Sequence, residues 1–277
     1  MIFLLSRLTL AILTLLATVH GNTRLAEAQT PARGPLRIIL EPNGAGCLAG
    51  AVQLIESGPG FQTIRAGKTV FWGAPQTIQA VQSLAEQTRQ AGLPDLYIGE
   101  FSRPRGGPFP GAHVSHQAGL DADIYFDLTA KPVLSPAQRE NLLPAGLVRA
   151  DRRGIDPARW KPDHTTLLKF AANLPNVDRI LVNFAIKKQL CEEIRMDRAW
   201  LRLVRPWYGH VAHFHIRFRC PPGQPECTQA APPPPGDGCD VSLQWWFDQL
   251  DASPAPAGPP RRPPPIPAAC KAILAGP

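Results

Sequence analysis

Five of the seven histidines of this chain fall in two short clusters, His113-Val-Ser-His116 and His210-Val-Ala-His213-Phe-His215. The first cluster runs on into Gln-Ala-Gly119-Leu-Asp121-Ala-Asp123, so an acid stands seven positions after His116. Zinc takes up neutral imidazole and carboxylate, and a hydrolytic zinc site uses three protein ligands while its fourth position holds water. A histidine, an acid and a remote His-x-His supply that donor set and leave one histidine over for proton transfer. An isolated His and Asp pair is commonly a surface pair or a satisfied core group. The concentration argues otherwise here, because after residue 28 only His164 lies outside the two clusters.

These side chains need strands to bring them together. Alternation through residues 120–126 puts Asp121, Asp123 and Tyr125 on one face, with Ala122, Ile124 and Phe126 on the other. Through residues 212–219 it sets His213, His215 and Arg217 on one side, continuing from Val211, while Phe214, Ile216 and Phe218 turn to the core. Two such strands side by side present Asp123 and His215 to one point. His116 reaches that point from the loop before the first strand, where Gly119 allows a turn. The spacing therefore assigns His116, Asp123 and His215 as ligands, and His213, one pleat away, as the group that handles protons. His210 reads as a residue orienting another histidine, Trp207 and Tyr208 as a wall of the cleft, and Arg103 and Arg105 as forks for substrate carboxylates.

The remaining candidate strands are 36–40, 69–72, 96–101 and 179–183. Candidate helices are 75–90, 136–142, 165–173, 185–194, 197–204 and 243–250. Ile78, Val81, Leu84 and Ala85 recur at helical spacing within the first of these. Helices and strands that do not strictly alternate predict an α+β domain, an antiparallel sheet with flanking helices.

Composition divides the chain near residue 220. Beyond it 16 of 57 residues are proline, which fixes its own φ and supplies no amide donor, so this stretch reads as an extended arm. At the other end Arg7 precedes an apolar run from Leu8 to Val19 that is too short to span a bilayer as a helix, and Ala26-Glu27-Ala28 is a small-x-small end. Residues 1–28 therefore read as a secretory signal cut before Gln29, or alternatively after Gly21. Its removal lowers the formal charge from +7 to +6 and leaves 249 residues, enough for a sizeable core. A basic balance of this size suits an anionic, polyvalent partner such as a cell-wall polymer, though it is not specific to one. All six cysteines, Cys47, Cys191, Cys220, Cys227, Cys239 and Cys270, lie in the exported part and predict three disulfides. Six cysteines allow 15 pairings. The short Cys220 to Cys227 loop is the easiest bridge to form locally.

With these residues in place, Ser102-Arg-Pro-Arg105-Gly-Gly107, the His113 to Ile124 segment and Val204-Arg-Pro-Trp207-Tyr-Gly-His210-Val-Ala-His213-Phe-His215-Ile-Arg217 closely resemble the penicillin-insensitive murein endopeptidases. That family consists of exported zinc peptidases related to lysostaphin, D-alanyl-D-alanine metallopeptidases and the sonic hedgehog domain. The resemblance covers nearly the whole chain beyond the leader. It implies a periplasmic enzyme that cuts the D-alanyl to meso-diaminopimelyl amide of peptidoglycan, with His116, Asp123 and His215 on Zn2+ and His213 as base. It implies the bridges Cys47 to Cys270, Cys191 to Cys239 and Cys220 to Cys227, which would clamp the arm, residues 221–277, onto a peptidase domain of residues 29–220. It also implies a second metal position through His113 and an Asp-x-x-His, but this chain reads Asp151-Arg-Arg-Gly154 and lacks that histidine. The Ser-x-x-Lys, Ser-Asp-Asn and Lys-Thr-Gly signatures of penicillin-acylated enzymes are not found in the sequence. Peptidoglycan is the expected partner, with no nucleic acid and no membrane span once the leader is gone. The alternatives are a D-alanyl-D-alanine carboxypeptidase on the same zinc site and a non-catalytic, zinc-containing wall-binding protein.

Overall fold

The structure, a computed structural model, describes residues 30–109, 114–251 and 264–275. The leader assigned to residues 1–28 and the candidate ligand His113 lie outside the described residues. Eleven strands are present: β1 (Arg37–Leu40), β2 (Gly46–Ala49), β3 (Val52–Gln53), β4 (Ser57–Gly58), β5 (Phe61–Thr63), β6 (Trp72–Gly73), β7 (Leu96–Ile98), β8 (Asp121–Tyr125), β9 (Val177–Asn183), β10 (Val204–Trp207) and β11 (His213–Phe218). The helices are α1 (Pro75–Gln90), α2 (Pro136–Glu140), α3 (Pro162–Ala172), α4 (Phe184–Glu193), α5 (Val241–Asp251) and α6 (Cys270–Ala275).

Seven strands form the main sheet in the order β10-β9-β11-β8-β7-β5-β4. Its centre, β9-β11-β8-β7, is antiparallel as the sequence predicts, while β10 on β9 and β5 on β7 pair in parallel. The alternation read from the sequence decides the two faces. Ala122, Ile124 and Phe126, with Phe214, Ile216, Ile180 and Val182, join one core cluster with Ile78, Val81 and Leu84 of α1 and Leu167, Leu168 and Ala171 of α3. Apolar transfer at about 25 cal/mol per Å² makes this layer the main source of stability. Pro75 opens α1 at a position where its missing amide costs nothing. The opposite face of β8 and β11 carries the polar residues. Register places His215 across from Asp123, Arg217 across from Asp121 and His213 across from Tyr125.

Some elements differ from expectation. The helix expected over 197–204 is only a 3-10 turn, Ala199–Leu203, and Val204 then enters β10. β10 lies at the sheet edge, where Pro206 can stand without an amide to donate. The strand expected over 69–72 contracts to Trp72–Gly73, which pairs with Val52–Gln53. β2, Gly-Cys-Leu-Ala, has no alternation to reveal it, and it pairs with β1 in a separate hairpin.

The described part of the arm is wrapped on the body. The pairings are Cys47–Cys270, Cys191–Cys239 and Cys220–Cys227. Proline-rich backbone offers acceptors with few donors, and arginines of the body meet them. Arg202 donates to the carbonyls of Pro233 and Pro234, and Arg179 to that of Ala231. The Cys47–Cys270 bridge closes a sequence separation of 223 residues. Chain entropy alone gives such a loop a stabilisation of about 5 kcal/mol. A Cys47→Ala/Cys270→Ala chain is expected to lose several kcal/mol in urea unfolding, and an unchanged midpoint would refute this.

Lys187 fastens the arm from beneath, donating to the carbonyls of Leu201 and Asp237. Burial pushes its ammonium down to about 7, and neighbouring Arg205 adds to the effect. Between about 7 and the ordinary 10.5 the unfolded chain holds this proton and the folded chain does not, so this group makes stability rise with pH across that window. Lys187→Met is expected to flatten this rise, as read from urea midpoints at pH 7 and pH 10. Equal slopes in the two proteins would contradict it.

Candidate metal centre

The loop entering β8 is built for close approach. His116 adopts a left-handed conformation at φ 63°, and Gly119 follows at φ 70°. A Cβ on Gly119 would stand 2.5 Å from Leu48 Cδ1 and 3.0 Å from the Ala74 amide nitrogen, so only glycine fits. The turn brings the His116 ring against the polar face of the sheet, where it meets the His215 ring edge-on at a centroid distance of 4.7 Å.

His116, Asp123 and His215 each offer a donor atom, and these atoms lie within 4.8 Å of one another. All three side chains are buried. Nδ1 of His116 lies 2.5 Å from the carbonyl oxygen of Phe101, an acceptor only, so Nδ1 carries the proton and Nε2 keeps its lone pair. That Nε2 faces Asp123 Oδ1 at 3.4 Å. His215 is fixed in the same way: Nε2 donates to Asp121 Oδ1 at 2.8 Å, which leaves Nδ1 facing Asp123 Oδ1 at 3.1 Å. Two imidazole lone pairs converging on one carboxylate oxygen suit a cation, and the donor set fits a metal ion of the zinc type.

Asp121 and Arg217 complete the support, and the sequence reading gave them no role. Arg217 grips Asp121 with Nε to Oδ1 at 2.7 Å and Nη2 to Oδ2 at 2.9 Å, while the His116 amide donates to Asp121 Oδ2 at 3.0 Å. One carboxylate thus orients both candidate histidines. The signal was available, because Asp121 and Arg217 share the strand faces of Asp123 and His215. Burial opposes the charge on Asp121, but Arg217 and His215 outweigh it and hold the carboxyl well below its usual range. Asp123 is likewise lowered, burial being overcome by His116 and His213. Burial also works against a charged His215, yet on their own Asp121 and Asp123 raise that ring to about 9, so a metal ion that binds must displace the Nδ1 proton to reach the neutral ring. Asp121→Asn is expected to weaken metal affinity about 10- to 100-fold in competition with a chromophoric chelator. Unchanged affinity would remove Asp121 from this role.

His213 stands one pleat from His215 and is 22% exposed, with Nε2 3.7 Å from Asp123 Oδ2. Its ring lies between those of Tyr125 at 5.4 Å and His210 at 5.1 Å. Burial lowers its pKa against the pull of Asp123, which favours the neutral, proton-accepting ring. His210 donates from Nδ1 to the Tyr208 carbonyl at 2.7 Å, and burial, with His215 and His213 nearby, pushes it down to about 4. Its contact with the donor cluster is through ring packing, 6.2 Å to His215. Trp207 is exposed at the end of β10.

Two candidates are placed elsewhere. Arg105, read as a fork for substrate, is 1% exposed, and its guanidinium donates to the carbonyls of Thr30 and Ile273. It pins α6 and the chain before β1 to the body, and a side chain so enclosed does not meet a solute. Asp151 lies in a surface turn where Arg149, at 2.9 Å, and the Arg153 amide take its carboxylate. Among the described residues it does not join the donor cluster. His164, left outside the clusters, bonds the Phe126 carbonyl through Nε2 at 2.9 Å.

A buried imidazole and a carboxylate on adjacent antiparallel strands, a second buried imidazole from the loop before β8 and a further histidine at the rim form the kind of donor set found in hydrolytic metal sites. Comparison with known proteins agrees. The family profile described as penicillin-insensitive murein endopeptidase matches residues 41–275, and the chain belongs to that family. A penicillin-insensitive murein endopeptidase of Klebsiella pneumoniae is 41% identical over 90% of this chain and 94% of its own length. Proteins of the same name from Salmonella heidelberg and Salmonella typhi are each 42% identical over 83% of this chain and 83% of their own.

Proposed function

We propose that this chain is an exported zinc peptidase of the periplasm that hydrolyses the D-alanyl to meso-diaminopimelyl amide of peptidoglycan cross-links. The observation that carries this reading is the convergence of His116, Asp123 and His215 within 4.8 Å, with His213 on the same sheet face. Family membership supplies the substrate class.

When bound, zinc lowers the pKa of water from about 15.7 towards ~7 and polarises the scissile carbonyl. The chain's own residues do the rest. His116 and His215 are held as neutral ligands by the Phe101 carbonyl and by Asp121. His213, neutral and at the rim, takes the proton of the attacking water and later protonates the leaving amine. No acyl-enzyme on serine is involved, which accounts for indifference to a drug that acylates serine. Among the described residues, no helix is long and apolar enough to cross a membrane.

Digestion of purified sacculi with and without a chelator, resolved by chromatography, tests this reading. Cross-linked dimers should become monomers, and the chelator should stop the reaction. Release of free D-alanine in place of monomers would mark a carboxypeptidase. Murein binding with no product would mark a binding protein.

A further inference from the structure

We propose that Trp207, Tyr208, Trp245 and Trp246 form a subsite for the glycan strand of the polymer whose cross-link occupies the metal centre; this rests on the murein endopeptidase reading. Trp207, Tyr208 and Trp245 are 48%, 53% and 50% exposed, an unusual display for the largest apolar side chains. The rings are one surface. Trp246 lies 5.9 Å from Trp207, 4.8 Å from Tyr208 and 5.2 Å from Trp245, and beneath it Phe184, Leu243 and Phe247 form a small core of their own. The body supplies half of the surface and the arm the other half, joined by the Cys191–Cys239 bridge six residues before Trp245. Ring-to-ring angles of 53°, 63° and 89° give a stepped surface rather than a flat one.

Position and charge select the occupant. The surface begins two residues from His210, whose ring is 6.2 Å from that of His215. A stem peptide of about four residues spans roughly 13–14 Å when extended, so a cross-link at the metal leaves its glycan within reach of these rings. Hexopyranose rings offer C–H faces that stack on indole and phenol while their hydroxyl and acetamide groups stay in water, a match for amphipathic rings that are half-exposed. The helix that bears Trp245 and Trp246, Val-Ser-Leu-Gln-Trp-Trp-Phe-Asp-Gln-Leu-Asp, has two acids and no base. A helix that lies on an anionic membrane carries lysine and arginine on its polar face, so this composition favours the sugar chain over lipid.

Calorimetric titration with peptide-free glycan strands, released from sacculi by an amidase, tests the subsite. The wild-type chain is expected to bind them saturably, Trp245→Ala about ten-fold or more weakly, and Trp245→Tyr close to wild type, with circular dichroism unchanged throughout. No binding by the wild type, or equal binding by Trp245→Ala, overturns the proposal. So does binding to phosphatidylglycerol vesicles that Trp245→Ala abolishes while glycan binding is unaffected. Cleavage of cross-linked dimers is followed in parallel. Dimers cut without strand binding would remove the subsite alone, whereas strands bound with no dimer cut would remove the hydrolase reading.

Discussion

His116→Ala is expected to hold little metal after dialysis and to release no monomers from cross-linked dimers, a loss of at least about 10⁴-fold in turnover. The reason is geometric. His116 is delivered by a left-handed turn, its tautomer is set by the Phe101 carbonyl, and among the described donors no other histidine could take its place. Two remaining ligands leave a metal weakly held and its solvent poorly positioned. Because the ring is wholly buried, its removal also leaves a cavity, so stability must be read beside activity. His116→Gln, closer in volume, separates the two effects: it should unfold near the wild-type midpoint and still lack metal. Full metal content in either variant would show that the donor set is not the one proposed.

His213→Ala is the second large effect, expected to lower kcat by about 10² to 10⁴-fold with metal content unchanged. His213 lies on the exposed end of the row and keeps 3.7 Å from the Asp123 carboxylate, so its loss leaves the ligand contacts of His116 and His215 intact. KM should move little, because the group serves the proton and not the ground-state complex. Turnover preserved in this variant would transfer the proton role elsewhere, with His210 next in line on the grounds of its 5.1 Å ring contact.

The alternation of apolar and polar residues in β8 and β11 made the central pair legible, since a slip of one residue would have turned Phe214 and Ile216 to the wrong face. The grouping of His116, Asp123 and His215 followed from that alternation and from the position of Gly119. What the sequence hid was how charge is spent. Arg105 and Arg217 are the same residue type, yet one pins two chain segments through carbonyls and the other aligns the Asp121 carboxylate behind His215. Only the fold distinguishes them. β2 and β10 were hidden for a different reason: Gly-Cys-Leu-Ala and Val-Arg-Pro-Trp carry no strand pattern of their own and owe their extended form to pairing with β1 and β9.

The tie between Cys47 and Cys270 also sets an order of assembly. The hairpin that bears Cys47 forms from neighbours close in the chain, but α6, which packs on it, comes 223 residues later. Closing so long a loop costs roughly 5 kcal/mol of chain entropy before any contact repays it. This thiol must therefore wait for almost the entire polypeptide to emerge, and it finds its mate only where oxidation is possible. A murein endopeptidase built in this way completes its architecture last of all at the seam between its first hairpin and its final helix.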